Sequence, residues 1–304
     1  MPRNSSFTRA VVTILLTGVL FTCRDTLPPQ PTLQPSAAPA PPVTLVGAGT
    51  VASCSATGGE ATAAILDTIP GTVFTTGDNV YPTASLVNFQ NCYGPSWGRH
   101  KARTLPTLGN KEYETSATAA DYFSYFGAAA GDPTKGYYSY TLGPWHIVVL
   151  NSLIPMSAGS AQEQWLRADL AATPQQCTLA YWHYPRFSSG TTHGSAPETQ
   201  PLWQALYDAH ADVVISGHEH NYERFALQTP TGGADPVNGI REFVVGTGGG
   251  SGPYPFGTPL ANSEVRITGT NGVLRLTLGA GTYAWQFIPV AGKTATDAGS
   301  GSCH

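Results

Sequence analysis

The stretch "ADVVISGHEHNYER", residues 211–224, runs from an apolar segment through a glycine into two histidines two positions apart. "ADVVI" (211–215) reads as a buried strand, and Gly217 lets the backbone turn where that strand ends. In an extended segment side chains two apart share a face, so His218 and His220 aim at one spot while Glu219 points away. Two converging imidazoles suit a metal ion, and a solvated loop with two unrelated histidines explains the tripeptide alone equally well. The rest of the chain must separate these readings.

The same punctuation recurs upstream. "TTGDNVY" (75–81), "LPTLGNKEY" (105–113) and "AYWHYP" (180–185) each set Asp78, Asn110 or His183 just beyond an apolar run. Ligands of α/β folds collect outside the carboxyl ends of strands, so four such ends can share one cleft. Helix-like stretches at 60–69, 160–173 and 199–211 alternate with strand-like ones at 43–49 and 177–185 and a hairpin at 136–152. After residue 239 four strand-like runs follow, separated by glycines, and read as an antiparallel tail. This pattern predicts an α/β fold, a two-sheet sandwich with helices on the outer faces.

The 304 residues suffice for a large core, only 11% are charged and the net charge is −4, so the basic excess that nucleic-acid binding requires is missing. Arg3 and Arg9 precede or begin the uncharged run "AVVTILLTGVLFT" (10–22), too short for a stable membrane span, and residues 1–23 read as a secretory signal. "LFTC" also resembles a bacterial lipoprotein signal, which would make Cys23 a lipid-bearing membrane tether; cleavage to a freely soluble form is the alternative. Residues 24–42 read as a Pro/Ala-rich linker, with seven prolines among positions 28–42, and the folded domain is expected over 43–304. The expected location is periplasmic, extracellular or lipid-anchored at the cell envelope. Cys54, Cys92, Cys177 and Cys303 remain after Cys23, an even number consistent with two bridges. Spacing leaves three pairings open, and Cys54–Cys92 with Cys177–Cys303 is the favoured one.

Asp78, Tyr81, Asn110, His183, His218 and His220 make a mixed oxygen and nitrogen donor set that suits first-row metals. "GDNVY", the "GN" of "GNKEY", "WHYP" and "GHEHNYER" follow the order and rough spacing of the metallophosphoesterase (calcineurin-like) superfamily, and Asp-x-x-Tyr with "GHEHNYER" resembles purple acid phosphatases. The resemblance covers residues 43–304. It implies a dinuclear centre of iron with iron, zinc or manganese, and hydrolysis of small phosphomonoesters by metal-bound water. Carried over, Asp78 bridges both ions, Tyr81 and His220 bind the first, and Asn110, His183 and His218 bind the second. His193, ten residues after His183, lies where the family places a substrate-contacting histidine.

Two departures stand out. Aligning "GTVASC" on the family's first motif puts Thr50 where an aspartate is usual, which weakens the first metal position and favours a single ion. Lys111 replaces the family's histidine after "GN"; its reference pKa of about 10.4 makes it a poor proton shuttle, though its charge suits a phosphate oxygen. A catalytically weakened metal- or phosphate-binding protein on the same scaffold is therefore the alternative function. The run "GTGGGSGPYPFG" (246–257) lacks a nucleotide P-loop's G-K-[ST] and reads as a flexible loop beside the site. His100, His146, His210 and His304 show no partner pattern.

Overall fold

The computed structural model describes residues 1–2, 8–14, 18, 40–173 and 175–304. Most of the expected signal, Cys23 and nearly all of the linker lie outside the described residues. The chain divides into two units, Met1–Ala38 and Pro39–His304. Among the described residues no helix is long and apolar enough to cross a membrane.

The second unit is built on two large sheets. One has six strands in the order β15 (Asp297–Ser302), β14 (Thr282–Pro289), β13 (Gly272–Gly279), β1 (Val43–Ala48), β3 (Thr72–Thr75) and β5 (Thr104–Leu105). The other has seven, in the order β12 (Ser263–Ile267), β10 (Tyr222–Phe225), β11 (Arg241–Val245), β9 (Val213–Ser216), β8 (Cys177–Tyr181), β7 (Trp145–Val149) and β6 (Tyr138–Leu142). A small pair, β2 (Ala52–Ser53) and β4 (Val80–Tyr81), completes the set.

The apolar runs of the second sheet follow from burial on both faces. Ile147, Val149, Leu179, Tyr181, Val213 and Ile215 join the main core with residues of the first sheet such as Leu45 and Phe74. Their neighbours Val148, Ala180, Trp182 and Val214 point the other way, into a second core with Leu166, Leu202, Trp203 and Leu206. Successive side chains of a strand alternate faces, so only continuously apolar strands can feed both cores. The outer layer over this sheet is made by helices Ala161–Ala172 and Gln200–Asp208, which pack on each other. Ser160 starts the first of these by accepting the Glu163 N–H, while Glu163 accepts the Gly159 N–H at 2.9 Å. Helix Gly58–Leu66 lies against β13 and contributes Ala63 and Leu66 to the main core. The expected two-sheet α/β sandwich is thus what the chain forms.

The C-terminal third departs from a single antiparallel tail. β13, β14 and β15 are antiparallel in the first sheet, but β12 belongs to the second sheet, and β11 pairs parallel with β9 inside it. A five-residue apolar run carries no mark of which partner or direction it will take, because that depends on the connection preceding it. Cys54 pairs with Cys92 and Cys177 with Cys303, the favoured arrangement.

Candidate functional site

Asp78, Asn110, His183 and the histidine pair come together on the segments that leave β3, β5, β8 and β9. Past β3 the backbone enters left-handed conformations at Gly77 (φ 82°) and Asp78 (φ 53°). A Cβ on Gly77 would lie 2.7 Å from Gly109 Cα, so the two bare glycines let these segments approach closely. Asn110 opens a short helix, Asn110–Glu114, and therefore stands farther beyond its strand than the apolar run suggested.

The histidine pair does not sit on an extended segment. His218 has φ 68°, and the Glu219 and Asn221 N–H groups donate back to Gly217 O and Glu219 O, each at 2.8 Å. This tight double turn still sends both imidazoles to the cleft, but onto different sides of Asp78. On one side His218 Nδ1 lies 3.1 Å from His183 Nε2, which lies 3.0 Å from Asn110 Oδ1 and 3.4 Å from Asp78 Oδ1. On the other, Tyr81 Oη donates to Asp78 Oδ2 at 2.5 Å and lies 3.3 Å from His220 Nε2.

Backbone carbonyls fix the tautomers. Thr76 O, 2.6 Å from His183 Nδ1, and Gly252 O, 2.9 Å from His220 Nδ1, can only accept, so each Nδ1 carries the proton and each Nε2 presents a lone pair. His183 Nε2, Asn110 Oδ1 and Asp78 Oδ1 are then acceptors facing one another, none able to donate to the others; the neighbouring donors are the Lys111 N–H on Asp78 Oδ1 and, in its Nδ1-protonated tautomer, His218 beside His183. Burial pushes the His183 imidazole down to about 3 and that of His218 to about 2, with neighbouring histidines adding to both. Burial likewise takes His220 to about 4. Neutral imidazoles beside a carboxylate and an amide oxygen are what a cation requires. One oxygen or nitrogen each from Asp78, His183 and His218 lie within 4.8 Å of one another, so the inner side fits a metal ion.

The side toward Tyr81 fits less fully. The phenol is raised above its ordinary range by burial and then by the Asp78 charge, and its proton already serves Asp78. Thr50, expected to be the weak point, is wholly buried at φ 57°, a conformation that strains a β-branched residue. Its hydroxyl approaches the Tyr81 phenol without a properly aligned hydrogen bond. Lys111 donates its backbone N–H to Asp78 Oδ1 at 3.0 Å, while its ammonium lies 2.7 Å from Glu114 Oε1 and 5.5 Å from the Tyr81 ring centre.

Asp78, Tyr81, Asn110, Lys111, His218 and His220 line an open cleft of about 270 Å³ together with His193, Ser251 and Tyr254, with His183 buried behind them. The His193 ring stacks on His218 at 3.8 Å and the Tyr254 ring on His220 at 3.8 Å, with 5.4 Å between His193 and Tyr254. Tyr254 comes from the glycine-rich run read only as a flexible loop. That run supplies both an aromatic wall and the Gly252 carbonyl behind His220, and no residue spacing announces either role.

Glu112 was also without an assigned role. It is buried, and burial followed by the Asp78 charge raises its carboxyl to about 7. Its oxygens take the N–H groups of Asp78 (3.1 Å), Asn79 (2.8 Å) and Gly109 (2.6 Å), which fixes the turns bearing Asp78 and Asn110. A Glu three residues past a helix-entry glycine is a legible hint of part of this, as it matches half of a capping box. None of His100, His146, His210 or His304 lines the cleft.

A family model described as calcineurin-like phosphoesterase matches residues 60–222. Among curated proteins, purple acid phosphatase 15 of Arabidopsis thaliana is 32% identical over 145 residues, covering 42% of this chain and 27% of that protein. The match thus spans about a quarter of that relative's length. A purple acid phosphatase from yellow lupin (Lupinus luteus) seeds superposes with a TM-score of 0.72 at 17% identity, covering 86% of this chain and 54% of the other. GAP50, the anchor in the inner membrane complex of Plasmodium, gives 0.67 at 14% identity, covering 87% and 90%. The two structural likenesses establish shared fold alone.

Proposed function

Since the chain belongs to the calcineurin-like phosphoesterase family, we propose that it is an exported, metal-dependent phosphomonoesterase similar to purple acid phosphatases. The observation that carries this reading is the clustering of three acceptors, His183 Nε2, Asn110 Oδ1 and Asp78 Oδ1, which face one another and cannot hydrogen-bond among themselves, an arrangement that suits a cation. Asn110, His183 and His218 would hold one ion, Tyr81 and His220 the other, and Asp78 would bridge them. Bound metal ions supply Lewis acidity toward a phosphoryl oxygen and an acidified water. The chain's own part is to orient the substrate: His193 borders the cleft beside His218, and the Lys111 ammonium stands at the opposite edge near Tyr81. Glu112 holds the Asp78 and Asn110 turns against displacement by an incoming anion. Export rests on the basic-then-apolar N-terminal sequence and is supported by two cysteine pairs, which persist in oxidising compartments.

A second reading, a weakened metal- or phosphate-binding protein, is favoured by Thr50 and Lys111. Thr50 offers a neutral hydroxyl where a charged ligand would help, and Glu114 already neutralises Lys111. The fold also serves GAP50, an anchor, so architecture does not decide activity. Elemental analysis of purified protein, with turnover of para-nitrophenyl phosphate, separates the two. Metal with turnover is expected, lost together in His218→Ala. Metal or bound phosphate without turnover selects the second reading, and protein that holds neither metal nor inorganic phosphate overturns both.

A further inference from the structure

Three buried glutamates grip one loop. Glu219, Glu223 and Glu242 are each 0% exposed, and each turns at least one carboxyl oxygen to the segment from Arg186 to Gly194, which carries His193; the other Glu223 oxygen accepts from the Ser263 hydroxyl. Glu242 accepts the backbone N–H groups of Arg186 at 3.0 Å and Phe187 at 3.1 Å. Glu223 accepts that of Ser189 at 2.8 Å. Glu219 Oε1 accepts two, from His193 at 2.6 Å and Gly194 at 2.7 Å. Burying a carboxylate costs several kcal/mol unless hydrogen bonds to the charged form compensate, so three aimed at one loop are not explained by core packing.

Glu219 has the most direct connection to chemistry. It lies between His218 and His220 in the chain, yet its side chain turns from the cleft to hold the residue whose ring stacks on His218 at 3.8 Å. Room for it exists only because position 190 is glycine: a Cβ there would collide with the Glu219 carboxyl carbon. The other carboxyl oxygen, Oε2, is buried without a hydrogen-bond partner among the described residues, so the glutamate is placed here for Oε1 and its two N–H groups. The double turn at 217–221 thus points three successive side chains to two tasks, two imidazoles to the cleft and one carboxylate to the loop over it.

Resting on the phosphoesterase reading above, we infer that Glu219 is a positioning residue. It fixes the His193 backbone so that the imidazole stands over His218, where it contacts the phosphate of the substrate. Glu223 and Glu242 anchor the same loop upstream, and Gly190 is required for the contact to form.

The test is a double-mutant cycle on the full-length, metal-loaded protein, with inorganic phosphate affinity measured by calorimetry and metal content by elemental analysis. Glu219→Ala and His193→Ala should each weaken phosphate binding by about tenfold at unchanged metal content, as expected from losing one or two hydrogen bonds to a charged group. If Glu219 acts through His193, the double variant is no weaker than His193→Ala. A merely structural role would instead multiply the two losses to about a hundredfold, and that overturns the inference. Loss of metal in Glu219→Ala also overturns it, because the residue would then be organising the ligands. Glu219→Gln, which keeps an acceptor oxygen, should retain affinity, while Gly190→Ala should mimic Glu219→Ala; both serve if the alanine variant fails to fold. Hydrogen exchange gives a readout independent of phosphate: the His193 and Gly194 amides should be protected in the parent and lose protection in Glu219→Ala. Unchanged exchange overturns the inference and leaves the phosphoesterase reading standing. A parent that neither binds phosphate nor turns over substrate overturns that reading, and the exchange data still decide whether Glu219 holds the loop.

Discussion

Thr50 concentrates the tension in this site. It is left-handed in φ, and its hydroxyl is buried without a partner, two costs at one position. Aspartate tolerates left-handed backbone better than threonine and would supply a charged donor beside Tyr81 and Asp78. Thr50→Asp is therefore expected to raise bound metal by about one equivalent, because one more carboxylate ligand is added where only a neutral hydroxyl stood. Combined with Lys111→His, it should raise phosphomonoesterase turnover by about a hundredfold, the lower end of what general acid catalysis contributes. Metal stoichiometry and saturating-metal rates for the parent, both single variants and the double decide this. A parent already holding two metals and as fast as the double would show that both departures are tolerated.

At the scale of elements, the loop from Arg186 to Gly194 is held by acids on β10, on β11 and in the 217–221 turn. Burial, ahead of the nearby Glu223 charge, raises the Glu242 carboxyl from 4.5 to about 8. The folded chain therefore binds this proton more tightly than the unfolded one, so the contribution is complete below about pH 4.5 and lost as pH rises through about 8. The depressed His183, His218 and His220 add stability with rising pH only up to about 6.5, so above that metal-free protein should show a falling urea midpoint from pH 7 to 8, and Glu242→Gln should show a shallower fall. A parent midpoint that rises across that window would contradict the assignment. Glu242 was invisible as a tether in "GIREFVV", where it reads as an ordinary strand residue, because the loop it serves is 55 residues away in sequence. Glu219 points away from the cleft, as alternation in the motif suggests, but nothing local says that it points to the His193 backbone.

Across the whole molecule, the Cys177–Cys303 bond joins the start of β8 in one sheet to the residue after β15 in the other, across 126 positions. Closing a loop of that length stabilises by about 5 kcal/mol through the unfolded state. Cys177→Ser should lower unreduced stability by roughly that amount, and thiol counting on denatured, unreduced parent should find none of Cys54, Cys92, Cys177 and Cys303 free. Two or more free thiols would refute the pairing. By itself the sequence pointed to the sandwich and to seven of the residues that line the cleft, Asp78, Tyr81, Asn110, Lys111, His193, His218 and His220, because apolar runs and strand-end punctuation are local, and side-chain alternation turns them into buried sheets with polar ends. Only the tertiary structure decided the direction of β11, the stacking of Tyr254 on His220 and the grip of Glu112 and Glu219. Those depend on which distant backbone carbonyls and N–H groups a buried polar side chain meets. A chain fixes that only once its sheets have closed on one another, since hydrogen-bond partners of buried groups are chosen by three-dimensional proximity and leave no period in the sequence.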